Sequence, residues 1–166
     1  MKRYGLLVTV LWVMLASTTA EAASFLTPTG FDAAFGGESA FLTLHRGDTG
    51  QFQVFFVNTG TIAWSKATSS EVVLSVCVDT PPPQLFRCNV LSPYADWALN
   101  WTTPRIYAAT TQAVVASGSL GTFPYSVKVP IDAALGDYYF RGELAHRATG
   151  TPVHPVGYFQ LVTVIP

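Results

Sequence analysis

The chain has 166 residues, of which 49% are hydrophobic and only 11% charged, and its formal net charge is −1. This length predicts a single domain. So apolar a chain can bury enough surface to fold, which excludes an intrinsically disordered protein. Basic residues are not in excess, so the chain lacks the charge pattern of a nucleic-acid-binding protein, and we expect no nucleic-acid partner.

Residues 1–22 have the layout of a secretory signal peptide. Lys2 and Arg3 precede an uncharged apolar run over residues 5–15, and a small-x-small cleavage pattern follows at residues 20–22. The run is too short for a spanning helix, which needs about 20 apolar residues. We therefore expect cleavage of this segment, a mature chain without a membrane span, and a secreted or periplasmic location, with cell-surface association left open.

Residues 23–39 are rich in Gly, Ala and Thr, and we interpret them as a lead-in segment that places a few aromatic side chains on the domain edge. The domain itself is expected over residues 40–166. Strands are predicted where apolar residues are β-branched or alternate with polar ones. In chain order, the predicted strands are residues 40–44, 51–57, 71–78, 113–116, 121–129, 137–147 and 157–165.

Alternation within these strands also predicts which side chains face the core. The residues expected to be buried are Phe52, Val54, Phe56, Val127, Val129, Tyr138 and Phe140. The residues expected to be exposed are Gln53, Ser126, Lys128 and Arg141. About seven short strands with turn signals between them indicate an all-β fold, an antiparallel sandwich.

Cys77 and Cys88 lie on either side of three consecutive prolines. An even cysteine count in an exported chain predicts a disulfide, and two buried free thiols are the alternative. A bridge would place the two Cα atoms roughly 4.4–6.8 Å apart and would contribute about 2–3 kcal/mol. The spacing is neither that of a redox C-x-x-C motif nor that of a zinc site, so it favours a structural bridge.

Residues 84–109 show the period of neither a strand nor a helix, and we interpret them as a long ordered loop. This loop carries a group of aromatic residues and one arginine: Tyr94, Trp97, Trp101, Arg105 and Tyr107. The rings could form a platform for sugars or for a partner's apolar surface, since loops on a rigid sandwich often carry binding functions. Alternatively, Trp97 and Trp101 cover the open side of the core, which is the interpretation we favour.

Two local motifs are more specific than the alternation. Asn58, Gly60 and Trp64 form N-x-G-x-x-x-W after an apolar strand, and Gly136 and Tyr138 form G-x-Y at the start of the penultimate strand. Their order and spacing resemble the four-tryptophan domain, the immunoglobulin-like central domain of a eukaryotic autophagy receptor, which has bacterial exported relatives. The resemblance covers about residues 40–165. It implies an Ig-like sandwich and, as in bacterial relatives, an exported or surface accessory module.

The motif residues also have a physical interpretation of their own. Trp64 follows a turn, where a large aromatic side chain can fold back over the end of the core. Tyr138 is expected to form a tyrosine corner, in which the phenol bonds to backbone a few residues upstream. We therefore expect structural roles for these residues rather than ligand binding. Val54 stands where the four-tryptophan family has its first tryptophan.

The sequence contains no recognisable catalytic or metal-binding constellation. His146 and His154 lie four residues either side of Gly150 and could meet across a hairpin, but two ligands are fewer than a zinc site uses. The carboxylates, Glu143 among them, lie mostly beside Gly or Pro, where acidic side chains bond to local backbone. We therefore expect no enzyme activity, no metal and no cofactor.

Two functional classes remain. The first is an exported, non-catalytic Ig-like module with a structural or adhesive role, which binds a protein partner or another cell-surface component. The second is a carbohydrate-binding module that uses the loop over residues 94–107. The exposure of Trp97 and Trp101 discriminates between them, because a sugar platform must present its ring faces to solvent.

Overall fold

The fold is known from a computed structural model, which describes residues 27–79, 86–154 and 156–166. The predicted signal peptide at residues 1–22 lies outside these ranges, as do the three prolines between the cysteines.

The described part of the chain is almost entirely β-structure, which confirms the predicted fold class. Within residues 27–79, 86–154 and 156–166, the one helical element is a single 3-10 turn at Ala95–Trp97. The strands are β1 Ala33–Glu38, β2 Leu42–His45, β3 Thr49–Asn58, β4 Trp64–Ser65, β5 Val72–Asp79, β6 Phe86–Cys88, β7 Ile106–Ala109, β8 Val114–Val115, β9 Leu120–Lys128, β10 Gly136–His146 and β11 Tyr158–Ile165.

These strands form two main sheets that enclose the core. The first sheet has the order β1-β3-β9. The second has the order β2-β11-β10-β5, with β6 and β7 both paired to β5, and β4 and β8 form a small separate ladder. The β2–β11 pair is parallel, whereas the other strand pairs are antiparallel. About seven strands were predicted from the sequence, and the additional ones are β1 and the short strands β4, β6 and β7.

Most of the predicted core positions are buried. The residues that are fully buried as expected are Phe52, Val54, Phe56, Val127, Val129 and Phe140. The residues that are exposed as expected are Gln53, Lys128 and Arg141, while Ser126 is partly exposed. Tyr138 is a correction, since it is only partly buried. Its ring packs against the core, but its hydroxyl reaches outward to the carbonyl of Ala134.

Strand β1 lies inside the segment that the sequence analysis assigned to the lead-in. Ala33 pairs with Asn58 at one end of β1, and Glu38 pairs with Val54 at the other. Gly36 and Gly37 interrupt the apolar pattern, and the register shifts between Phe35 and Gly37. A bulge of this kind hides a strand from periodicity arguments, because it breaks the two-residue repeat. After β1, the chain crosses to the second sheet and forms β2.

Cys77 and Cys88 form the predicted disulfide, so the alternative of two free thiols is wrong. The two residues face each other directly across the antiparallel pair β5–β6. Their Cα atoms are 4.0 Å apart, closer than expected from the sequence. Directly opposed residues of an antiparallel pair have Cα atoms about 4.5–5.5 Å apart even without a bridge, so the strand pairing accounts for most of this closeness.

Candidate functional site

The aromatic loop predicted as a candidate binding site packs into the core instead. Trp97 is only 3% exposed, and its ring lies 4.4 Å from that of Tyr138. Tyr107 is buried and stacks on Tyr125 at 4.7 Å. Trp101 is partly buried, and its Nε1 donates to a backbone carbonyl of β9. These rings close the open side of the sandwich and offer no stacking platform.

The two remaining residues of that loop differ in their surroundings. Tyr94 is partly buried, with its ring 5.1 Å from that of Phe140. Arg105 is exposed, and its Nη1 donates to the carbonyl of Asn89 at 3.0 Å. Neither residue forms a binding surface with the buried tryptophan and tyrosine.

The residues of the N-x-G-x-x-x-W motif form a buried, hydrogen-bonded cluster at the end of β3. Asn58 Nδ2 donates to the carbonyls of Ile62 and Val115, both at 3.0 Å, and its Oδ1 accepts from the Gly60 amide at 3.1 Å. A Cβ atom at Gly60 would lie 2.4 Å from a backbone oxygen, so no side chain fits there. Trp64 is fully buried. These residues stabilise the fold, and none of them faces solvent.

The G-x-Y motif fixes the start of β10 through a side-chain hydrogen bond. The Tyr138 hydroxyl donates to the carbonyl of Ala134, four residues upstream, at 2.8 Å. This is the hydrogen bond that defines a tyrosine corner. Gly136 has a φ of +132°, a conformation that L side chains rarely adopt.

An exposed cluster of aromatic side chains lies on the outer surface of the second sheet. Phe41, Tyr139 and Phe159 are 47%, 40% and 40% exposed, and together we call them the aromatic face. The rings of Phe41 and Phe159 are stacked at 5.6 Å, and that of Tyr139 lies edge-on to Phe159 at 5.4 Å. Outward positions of an antiparallel sheet are normally polar. Three aromatic rings in contact there mark a candidate binding surface.

Beside the aromatic face lies a cleft of about 280 Å³, at the edge where β1 approaches β11. Its walls are mainly apolar, and two of its residues can carry charge. The lining consists of Phe35, Glu38, His154, Val156, Gly157, Tyr158 and Phe159. Phe159 therefore belongs both to the aromatic face and to the cleft, which makes the two features one continuous surface.

The ionisable group beneath this cleft is Glu143. It lies within β10, in the strand predicted over residues 137–147, and it is fully buried. Glu143 Oε1 accepts from the Leu144 amide at 2.6 Å. Its Oε2 accepts from the Gly157 amide at 2.7 Å and from His154 Nδ1 at 3.3 Å. The hydrogen bond to this carboxylate raises the pKa of His154.

Glu38 is the carboxylate that lines the cleft itself. Partial burial removes water from this group and raises its pKa. Gln160, which is fully buried, donates through Nε2 to Glu38 Oε2 and holds the side chain in place. The carboxylate is therefore oriented at the edge between the two sheets.

The two histidines of the expected hairpin have separate hydrogen-bond partners. His146 lies within hydrogen-bond distance of Thr149 Oγ1 (3.0 Å) and of the carbonyl of Ser69 (2.7 Å), while His154 bonds to Glu143. Within the described ranges, no group of three or more metal-ligating side chains occurs. In the same ranges, no helix is long and apolar enough to cross a membrane.

The aromatic face was not predicted, although the strand alternation indicates two of its three residues. Tyr139 and Phe159 occupy the outward positions of two predicted strands, between residues that point to the core. The cleft had no comparable signal, because Glu38 and Gln160 are 122 residues apart in the chain.

The sequence matches no protein-family model and no curated protein. The resemblance to the four-tryptophan domain therefore stays a prediction. Any function assigned to this chain rests on the geometry of the aromatic face and the cleft.

Proposed function

We propose that this chain is an exported, non-catalytic Ig-like module that binds a protein partner through the aromatic face. Its role is structural or adhesive, at the cell surface or in the periplasmic or extracellular space. The observation that carries this proposal is the contact between the exposed rings of Phe41, Tyr139 and Phe159. Exposed aromatic clusters are typical of protein interfaces, where such rings supply large contact areas at little entropic cost.

The disulfide supports the proposed compartment. Bridges such as Cys77–Cys88 persist in oxidising environments, which include the periplasm and the extracellular space. The bridge is thus compatible with the predicted signal peptide.

The strand order supports the Ig-like assignment. Ig domains place strands A, B and E in one sheet and C, F and G in the other. In the order β1-β3-β9 and β11-β10-β5, the same pattern results if β3 and β9 correspond to B and E. The split of the N-terminal strand, with β1 in one sheet and β2 in the other, joins the two sheets at their edge.

The site chemistry favours binding over catalysis and proteins over sugars. The Glu143 carboxylate is fully engaged in holding the connection between β10 and β11, and its bonds to backbone amides are structural. The alternative of a carbohydrate-binding module relies on the loop over residues 94–107, where the rings of Trp97 and Tyr107 are buried. These two rings are therefore not accessible to a sugar.

A comparison of surface variants tests the proposal. The double variant Tyr139→Ser/Phe159→Ser should capture its partner from the envelope or surface fraction of the source organism at least about tenfold more weakly than the original chain, since interface aromatics are frequent hot spots. The matched control is Ile131→Ser, because Ile131 is 78% exposed and lies elsewhere. Both variants should keep the melting temperature, since surface changes cost little.

Two results would contradict the proposal. One is equal capture of the same partner by the double variant, the control and the original chain. The other is turnover of a glycan or peptide that disappears when a single Asp, Glu or His is replaced.

A further inference from the structure

We propose that the cleft receives a basic side chain, an arginine or a lysine, from the protein partner, while apolar residues beside it cover the aromatic face. This inference rests on the proposed function, because it names the chemistry that the partner brings to the same surface. Three observations support it: the negative charge around the cleft, the capacity of the Glu38 carboxylate for a further hydrogen bond, and the apolar walls.

The charged groups around the cleft are mostly negative. Glu38 lines it, and Glu143 lies beneath it next to His154. Even with His154 protonated, two carboxylates face one imidazolium. Arg141 pairs with Phe159 across β10–β11, and its guanidinium lies over the Tyr139 ring and 3.5 Å from Asp79, so its charge is offset by a carboxylate outside the cleft.

Glu38 has capacity for a further donor. Gln160 donates to Oε2, and no other side chain or backbone group in the described residues donates to this carboxylate. A partly desolvated carboxylate with one neutral donor gains strongly from a cation, because charge-assisted hydrogen bonds are about twice as strong as neutral ones. A guanidinium or ammonium group meets this requirement, whereas a second carboxylate would be repelled.

The walls of the cleft suit the rest of a long basic side chain. Phe35 and Phe159 present aromatic rings, which attract a nearby cation through their π-electrons. Val156 offers apolar surface against which the methylene groups of lysine or arginine can pack. The volume of about 280 Å³ accommodates one such side chain.

The test compares two tripeptides that differ only in charge: acetyl-Leu-Arg-Leu-amide and its analogue with neutral citrulline in place of arginine. Binding to the ¹⁵N-labelled chain is followed by NMR. The arginine peptide should shift the amide signals of Phe35, Glu38, Val156 and Phe159, and the citrulline peptide should bind at least about tenfold more weakly. Binding of the arginine peptide should also weaken as the pH falls through the raised pKa of Glu38.

Two variants test whether Glu38 is the group that binds the arginine side chain. Glu38→Gln should weaken binding of the arginine peptide by a similar factor, whereas Asp96→Asn, which changes an exposed acid elsewhere, should have no effect. Equal affinity for the two peptides, or signal shifts confined to other regions, would overturn the inference even if Glu38→Gln failed to fold. If the peptides fail in this way while Tyr139→Ser/Phe159→Ser still loses its partner, the inference is wrong and the proposed function stands.

Discussion

At the scale of single residues, Glu143 connects the stability of the fold to the shape of the binding surface. Its carboxylate holds the Gly157 amide and the His154 ring against β10. The segment between them carries Val156, which lines the cleft. Removal of the carboxylate would leave buried donors unsatisfied, so the replacement Glu143→Gln should cost on the order of 3 kcal/mol.

The same pair predicts a pH dependence of stability. The folded-state pKa of His154 is raised above its usual value by the hydrogen bond to Glu143. The stabilisation is therefore fully present below about pH 6.5, the usual pKa of histidine, and is lost as the pH rises through the folded-state value. The melting temperature of the original chain should fall over this range, and that of Glu143→Gln should fall less.

Thermal unfolding monitored by circular dichroism from pH 6 upward checks this prediction. The comparison isolates the His154–Glu143 pair, because Glu38 is present and unchanged in both chains. Parallel pH profiles for the original chain and the variant would show that the pair does not couple protonation to folding.

At the scale of elements, the long connection between β6 and β7 covers the open side of the hydrophobic core. The 3-10 turn Ala95–Trp97 places the Trp97 ring against those of Tyr138 and Phe140, with ring centroids 4.4 and 5.6 Å apart. The Ser126 amide donates to Asn100 Oδ1, which ties the connection to β9. The aromatic residues of this segment thus belong to the core, although no strand carries Trp97.

Removal of the Trp97 ring should therefore destabilise the domain. We expect Trp97→Ala to lower the free energy of unfolding by about 3–5 kcal/mol, as for other large buried aromatic residues. The matched control Leu99→Ala changes an exposed side chain of the same segment and should cost less than about 0.5 kcal/mol. Urea unfolding gives both values, and a loss below 1 kcal/mol for Trp97→Ala would show that the ring does not seal the core.

The elements differ in how well the sequence predicts them. Strands β3 and β9 alternate cleanly, because one face of each packs on the core, and their register joins Phe52 to Tyr125 and Val54 to Phe123. Strand β1 escapes prediction because a bulge at two glycines breaks its period. The cleft escapes it because Glu38 reaches Gln160 only after the chain has crossed between sheets. Local patterns predict elements, whereas this site depends on contacts between distant parts of the chain.

At the scale of the whole molecule, the disulfide and the candidate binding surface both belong to the second sheet. Cys77–Cys88 fixes β6 to β5, while the aromatic face consists of Tyr139 on β10, Phe159 on β11 and Phe41 directly before β2. The bridge closes a short loop, so the double variant Cys77→Ser/Cys88→Ser should lose about 2–3 kcal/mol of stability, as measured by urea unfolding. An unchanged stability would show that the bridge contributes nothing to the fold.

The central claim is that the aromatic face is the part of the molecule that contacts a partner. Hydroxyl-radical footprinting tests it most directly, because phenylalanine and tyrosine side chains are oxidised where they are exposed. Oxidation of Phe41, Tyr139 and Phe159 should fall several-fold when the chain is labelled in its native cell envelope rather than purified, while that of the exposed Ile131 and Leu99 stays constant. Unchanged oxidation of the three rings, or protection confined to residues 94–107, would contradict the claim.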